Sequence, residues 1–308
     1  MKKVSFIILS FNSSELTLRC VQSVVQHIPT AMREVIVVDN GSRQQEVQAL
    51  ADSSLAAHFI LVKSRLNTGF GAGNMQGANI ATGQYLCFLN NDVVLNNDCV
   101  SPLCQYLEQH PDVGSITPVQ LNMQGHQTRM FKHNQGIRHE LLGDSLFERF
   151  FPHRYPKRDA LIEGAPKEVM QINGCFMLFP TDKFWAIGGF DTNIFLYHEE
   201  YDLAIRQQQH GWKRVIFPDC SFVHAHGATM SKIPGKTVIR ELYISKIYTY
   251  RKYHGLILSI LFQTIIIAGL LFKPGKWYLL KVAVRGEALS RSMRHTIVES
   301  GNTQQTTV

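Results

Sequence analysis

Apolar residues fall into short dense runs separated by stretches with helical spacing. Val4–Ser10 is a β-rich apolar run and predicts a buried strand. "NSSELTLRCVQSVVQHI" follows, with polar residues able to cap a helix and apolar positions at Leu16, Cys20, Val24 and Ile28. "EVIVVDNGS" is a second buried strand ending in a turn, so strand, helix and strand follow within one short stretch. That order predicts a βαβ unit and a parallel sheet.

The alternation continues. Residues 58–62 predict a strand, "NTGFGAGNMQGANIATG" a glycine-rich loop entering a helix, and "QYLCFLNNDVVL" a strand broken at Asn-Asn-Asp. Residues 98–110 predict a helix and 113–121 a strand. Periodicity is lost over 122–168, where His, Arg and Pro accumulate, and a long insertion or flap is expected there. "VMQINGCFMLFP" then predicts one strand and "TDKFWAIGGFD" a short helix closed by a Gly-Gly turn. A helix follows to about Gln209, then two short strands at 214–217 and 221–224.

Open α/β sheets bind ligands at the carboxyl ends of their strands. Three polar turns occupy such places here: "DNGS", "NTGFGAGN" and "NND". A site in the first half of the chain is expected from this clustering alone.

The last quarter differs. "LILSILFQTIIIAGLLF", 256–272, has only Ser259, Gln263 and Thr264 as polar residues, and lies at the length threshold for a membrane span. The basic stretch after it carries Trp277 and Tyr278, as interfacial segments do. A single crossing would place this basic tail outside, against the positive-inside tendency. A helix dipping into the cytoplasmic leaflet, or a re-entrant hairpin, is therefore expected, with "ESGNTQQTTV" as a polar, disordered end.

Composition changes this picture only in places. The chain has 308 residues and is 45% apolar, enough for a substantial core. The net charge of +7 points to an anionic partner. No Lys/Arg run interleaved with aromatics is present, so nucleotide phosphates or an anionic membrane face are expected rather than nucleic acid. None of the six cysteines forms a C-x-x-C pair, and the first apolar run is short for a signal peptide, so reduced thiols in a cytosolic chain are expected.

The ordered series "VSFIILSFN", "VIVVDNGS", "NTGFGAGN", "FLNND", "INGCFMLF", "GGFD", "FLYHEEYDL" and "HAHG" resembles glycosyltransferase family 2, in its rhamnosyltransferase-like branch. The resemblance covers about residues 3–230. It implies a GT-A fold, a Rossmann-like mixed α/β sheet flanked by helices, within residues 1–235. The nucleotide-binding half would be 1–121 and the acceptor half 122–235. Residues 236–298 would form a helical membrane-associating region and 299–308 a disordered tail.

The implied activity is inverting transfer of a sugar, rhamnose or another hexose, from a dTDP- or UDP-sugar to a glycan or lipid-linked acceptor. It would serve cell-surface polysaccharide synthesis at the cytoplasmic face of the plasma membrane. A departing diphosphate needs a hard cation, so Mn²⁺ or Mg²⁺ is the implied cofactor. "FLNND" matches the family's acidic metal motif with Asn90 in place of its first acid. Asp92 is then the ligand, while Asn90 contacts the sugar or braces the site. His224 fits the family's downstream metal-binding histidine, with His226 as its rival. Asp39 would hold the donor base, with Ser10, Asn12, Asn67 and Gly69 lining the nucleotide cleft.

A sugar hydroxyl is a poor nucleophile, so a positioned carboxylate must take its proton. The family places this base second in an acidic pair, which is Glu200 here, a glutamate for the usual aspartate. Glu199 would orient the acceptor, with Asp191 and Trp185 on the acceptor side. Asp202 reads as the partner of Arg206 one helical turn later. The two departures, Asn90 and Glu200, leave open a nucleotide-sugar-binding membrane protein without transfer.

Overall fold

The computed structural model describes residues 3–133, 137–225, 235–285 and 293. The first half alternates β1 (Val4–Ser10), α1 (Ser14–His27), β2 (Arg33–Asn40), α2 (Gln44–Ala51), β3 (Ile60–Ser64), α3 (Phe70–Ala78) and β4 (Tyr85–Asn90). β5 (Val93–Leu95), α4 (Val100–Gln109) and β6 (Val113–Leu121) complete it. β1 pairs in parallel with both β2 and β4, and β2 with β3. β1 and β4 are apolar on both faces because helices cover both sides of the sheet.

The flap is not featureless. It contains β7 (Phe131–Lys132), α5 (Ile137–Leu142), α6 (Asp144–Phe150) and β8 (Lys167–Val169). The strand expected over "VMQINGCFMLFP" is instead two, β9 (Gln171–Ile172) and β10 (Phe176–Pro180), parted by a polar turn at Asn173-Gly174. β9 leaves to pair with β7, while β10 enters the main sheet antiparallel to β4 and β6.

After α7 (Thr181–Ala186) and α8 (Glu199–Gln209), the two short strands expected at 214–224 are one, β11 (Lys213–His224), with a register shift between Phe217 and Ser221. The strand order β3-β2-β1-β4-β10-β6-β11-β5 is therefore mixed, with β8 also on β11. One core cluster packs α1 and α4 against the sheet, and another packs α3 and α7 on its far side. All six cysteines are buried free thiols.

α9 (Gly235–Leu271) bends at Gly255, where φ is +69°. Upstream of the bend the helix carries polar side chains onto the body of the protein. Downstream an apolar face is exposed, while Phe262, Ile266 and Leu270 are buried on the other side. Leu256, Ile257 and Phe272 are 77–87% exposed, while Ser259 and Gln263 are buried. Gln263 donates to the carbonyl of Ala283 at 2.9 Å and accepts from Arg251 at 2.8 Å. The chain turns back after Leu271, and α10 (Leu280–Arg285) packs on α9. This helix is long and apolar enough to enter a membrane. His226 and the polar end, 299–308, lie outside the described residues.

Candidate active site

A cavity of about 520 Å³ opens at the carboxyl ends of β1, β2 and β4. The polar turns after these strands meet there because the βαβ connections bring all three strand ends to one edge. On one side it is walled by Phe11, Asn40, Asn67 and Gly69, and on its floor by Asn90, Asn91 and Asp92. The opposite wall comes from the second half: Lys132, Asn173, Gly174, Tyr197, Glu199, Glu200 and His224.

Asn40 ties the first wall together. Its amide donates to Asn67 at 3.0 Å and to the Gly69 carbonyl at 3.1 Å, and its oxygen accepts from the Thr68 N–H at 3.0 Å. Gly69 has φ +88°, and a Cβ there would strike the backbone of Phe195. Only glycine fits this close approach. The next N–H, of Phe70, donates to the Phe195 carbonyl at 2.7 Å, which joins the glycine loop to the loop before α8.

The polar atoms of Ser10, Asn12 and Asp39 lie behind this wall rather than on it. The Ser10 hydroxyl accepts from Thr17 at 2.8 Å. Asn12, at φ +50°, donates through its N–H to Ser42 and accepts from the Arg43 N–H, both at 2.9 Å. Asp39 pairs in register with Ser10 and takes the Ser42 N–H at 3.2 Å. Its other oxygen is buried without a hydrogen bond. Burial raises its carboxyl above the usual range against the Ser42 and Gly41 hydrogen bonds.

On the floor, Nε2 of His224 lies 3.0 Å from Oδ1 of Asp92, and both residues are buried. β11 runs antiparallel to β5 with His224 opposite Val93, which delivers the imidazole to the carboxylate. Asn91 braces the turn by donating to Ser13 and Thr17. Among the described residues no third His, Cys, Asp or Glu joins the pair. A carboxylate and an imidazole are donors that would suit a divalent cation accompanying a diphosphate.

The acids sit at the N-terminus of α8, where the helix dipole favours negative charge. Two left-handed residues, Tyr197 at φ +66° and His198 at φ +70°, turn the chain into this helix. Such backbone costs free energy and is held by its surroundings. Burial, and then the charges of Lys246 and Lys132, push the His198 pKa down to about 3, so the imidazole is neutral.

The neighbouring glutamates differ. Glu199 is buried, and one of its oxygens lacks a hydrogen bond. Burial, and next the Glu200 charge, raise its carboxyl well above the usual range. Glu200 Oε1 accepts the Gly174 N–H at 3.2 Å and lies 3.8 Å from the Lys132 ammonium. Its Oε2 is buried without a hydrogen bond.

Asp191 and Trp185 do not line the cavity. Oδ2 of Asp191 accepts from Tyr248 at 2.9 Å and from Lys252 at 2.7 Å, so its carboxylate serves α9. Trp185 packs edge-on against Phe184 at the surface. Asp202 does pair with Arg206, Nε to Oδ2 at 3.0 Å, but it is fully buried and also accepts from Lys252 at 2.6 Å. Asn40, Lys132, Asn173 and Gly174 line the cavity without having been singled out in the sequence.

With the geometry in place, residues 5–181 match the family described as Glycosyl transferase family 2. N-acetylgalactosaminyltransferase 4 of Drosophila melanogaster is 24% identical over 214 residues, covering 67% of this chain and 33% of that protein. An N-acetylglucosaminyl-diphospho-decaprenol L-rhamnosyltransferase of Mycobacterium tuberculosis is 24% identical over 215 residues, 65% of this chain and 69% of the relative. The crystal structure of GalNAc-T7 with UDP, GalNAc and Mn²⁺ superposes with a TM-score of 0.59 at 16% identity. It covers 81% of this chain and 50% of that one, a likeness of fold. The chain thus spans only a third to a half of two of these proteins and about two thirds of the third.

Proposed function

The chain belongs to glycosyl transferase family 2, and on that premise we propose that it transfers a sugar from a nucleoside diphosphate sugar to an acceptor hydroxyl, with inversion. The cavity itself supports this reading most strongly: the Asp92–His224 pair and the Glu199–Glu200 pair line the same open cleft. The first pair suits a cation and a diphosphate, and the second suits a hydroxyl that must lose its proton.

In the proposed reaction Glu200 Oε2, which has no other hydrogen bond, accepts the proton of the acceptor hydroxyl. The hydroxyl oxygen forms the new bond to the anomeric carbon. The bond from that carbon to the phosphate oxygen breaks, and its electron pair leaves with the nucleoside diphosphate. Gly174 and Lys132 hold the other oxygen of Glu200 in place. Asp92 and His224 are the residues that would hold the divalent cation, which neutralises charge on the diphosphate when bound. Asn40, Asn67 and Gly69 line the nucleotide side, and Asp39 would brace it from behind, near the donor base. Ser10 and Asn12 would act only by shaping the same turn.

The donor class follows the relatives: GalNAc-T7 was crystallised with UDP, and UDP- or dTDP-sugars are proposed here. A lipid-linked acceptor is proposed from the exposed apolar face after Gly255, together with the decaprenol-linked acceptor in the name of the mycobacterial relative. The second stretch of α9, residues 256–271, is about 24 Å of helix, shorter than the ~30 Å hydrocarbon core. Its return through α10 supports a hairpin seated in one leaflet, proposed to be the cytoplasmic one.

The test is a screen of UDP-, dTDP- and GDP-sugars with purified full-length protein, Mn²⁺ or Mg²⁺ and a membrane lipid extract. Transfer of labelled sugar to lipid supports the proposal. Absence of transfer from every donor, with nucleotide binding intact, contradicts it.

A further inference from the structure

The acid pair is held from behind by the helix that leads into the apolar hairpin. Ser245, Tyr248, Thr249, Lys252 and Tyr253 recur at positions three and four apart on α9 and so share one face. Every one of them reaches the segment 191–202. The Ser245 hydroxyl donates to the Leu196 carbonyl at 2.8 Å. Thr249 lies 3.3 Å from Nδ1 of His198, and its own proton goes to the Ser245 carbonyl at 2.9 Å. Tyr248 donates to Asp191 and Tyr253 to Asp202.

Lys252 closes the arrangement. Its ammonium bridges Asp191 at 2.7 Å and Asp202 at 2.6 Å, the two ends of the segment that carries the acids. Between these anchors lie Tyr197 and His198, both left-handed, which a free loop would not hold. Asp202 is fully buried, so its carboxylate needs the cations of Lys252 and Arg206 to stay there. A polar stripe on a helix normally faces water. Here it faces a strained catalytic turn, and three residues beyond Lys252 the bend at Gly255 begins the lipid-seeking face.

We propose that Lys252 is a positioning residue for Glu200: by clamping Asp191 to Asp202 it fixes the strained turn that aims the acid pair into the cavity. This rests on the reading of Glu200 as the base. The same helix that seats the protein on lipid thereby sets the geometry of proton abstraction.

The test compares wild type with Lys252→Met and Lys252→Arg as full-length proteins. Hydrogen exchange over 194–200 is the first readout and needs no substrate. In Lys252→Met, protection there falls by roughly tenfold. Affinity for UDP or dTDP with Mn²⁺ stays within about twofold. Turnover, followed as nucleoside diphosphate release with the donor panel and lipid extract, falls by roughly a hundredfold. Lys252→Arg, which keeps a cation between the two carboxylates, recovers most of the protection and turnover. Should Lys252→Met not fold, Tyr248→Phe removes one Asp191 contact and carries the same comparison. Wild-type exchange and turnover in Lys252→Met would overturn the proposal, as would lost turnover with unchanged exchange. If Glu200 proves not to be the base, the exchange result still reports whether Lys252 holds the turn.

Discussion

Nε2 of His224 stands 3.0 Å from Oδ1 of Asp92, although 132 positions separate them in the chain. β11 carries the imidazole back across the sheet beside β5, immediately after the Asn-Asn-Asp turn. The carboxylate and the imidazole are thereby set side by side on the floor of the cavity.

Removing either donor should uncouple nucleotide binding from metal. Asp92→Ala and His224→Ala are expected to weaken Mn²⁺-dependent binding of UDP or dTDP by at least roughly tenfold. Titration calorimetry with and without a chelator measures this. Equal affinity in the variants and wild type would remove the pair from cation binding.

Glu199 should make stability depend on pH. Burial, and then Glu200, raise its carboxyl above the ordinary value of 4.5. Above 4.5 the unfolded chain releases this proton while the folded protein keeps it. The folded state therefore loses stability as pH rises towards the raised value, and below 4.5 the effect vanishes. Glu199→Gln, which cannot ionise, should gain melting temperature relative to wild type at pH 8 to 9 compared with pH 5 (an interval of about three to four pH units). A difference that does not change with pH would argue against a neutral Glu199.

Gly69→Ala should damage both fold and site. The left-handed φ and the Phe195 backbone leave no room for a Cβ. A loss of about 1–3 kcal/mol is expected in denaturant unfolding, with weaker nucleotide binding as the loop is pushed from Phe195. Wild-type stability and binding would contradict the close approach.

The exposed hairpin face should bind lipid. Leu256→Asp/Ile257→Asp changes two side chains that are 77% and 83% exposed, so folding should be unaffected. Losing their burial in a bilayer removes about 3 kcal/mol, roughly a hundredfold in vesicle affinity. Flotation with vesicles containing anionic phospholipid measures this. Unchanged flotation would mean that the face seats elsewhere.

Much of the first half of the chain is legible in the sequence because its strands are local apolar runs and its turns are glycine- and asparagine-rich. β1, β2, β4 and β6 follow from such runs directly. The second half was harder. β9 and β10 form one apolar run in sequence, and only the demand of Gly174 on Glu200 and of β7 on β9 divides it. Lys132 carries no local signal, since its place opposite Glu200 depends on that small sheet.

The resemblance implies Asp191 on the acceptor side, yet its partners Tyr248 and Lys252 are more than fifty positions later. The polar stripe of α9 was invisible for a similar reason. Ser245, Thr249 and Lys252 look like a solvated face until the 191–202 segment is placed against them. Ser259 and Gln263 interrupt an apolar run in the sequence, whereas in the fold they share its buried face with Phe262, Ile266 and Leu270.

Glu200 is proposed to take the acceptor proton. Glu200→Gln keeps an acceptor for the Gly174 N–H and nearly the same volume, but cannot hold the proton. With the donor identified by the screen, single-turnover transfer to lipid acceptor should fall by about 10²–10⁴-fold. Affinity for the nucleotide with Mn²⁺ should stay within about twofold of wild type. Transfer by Glu200→Gln at the wild-type rate would contradict the account.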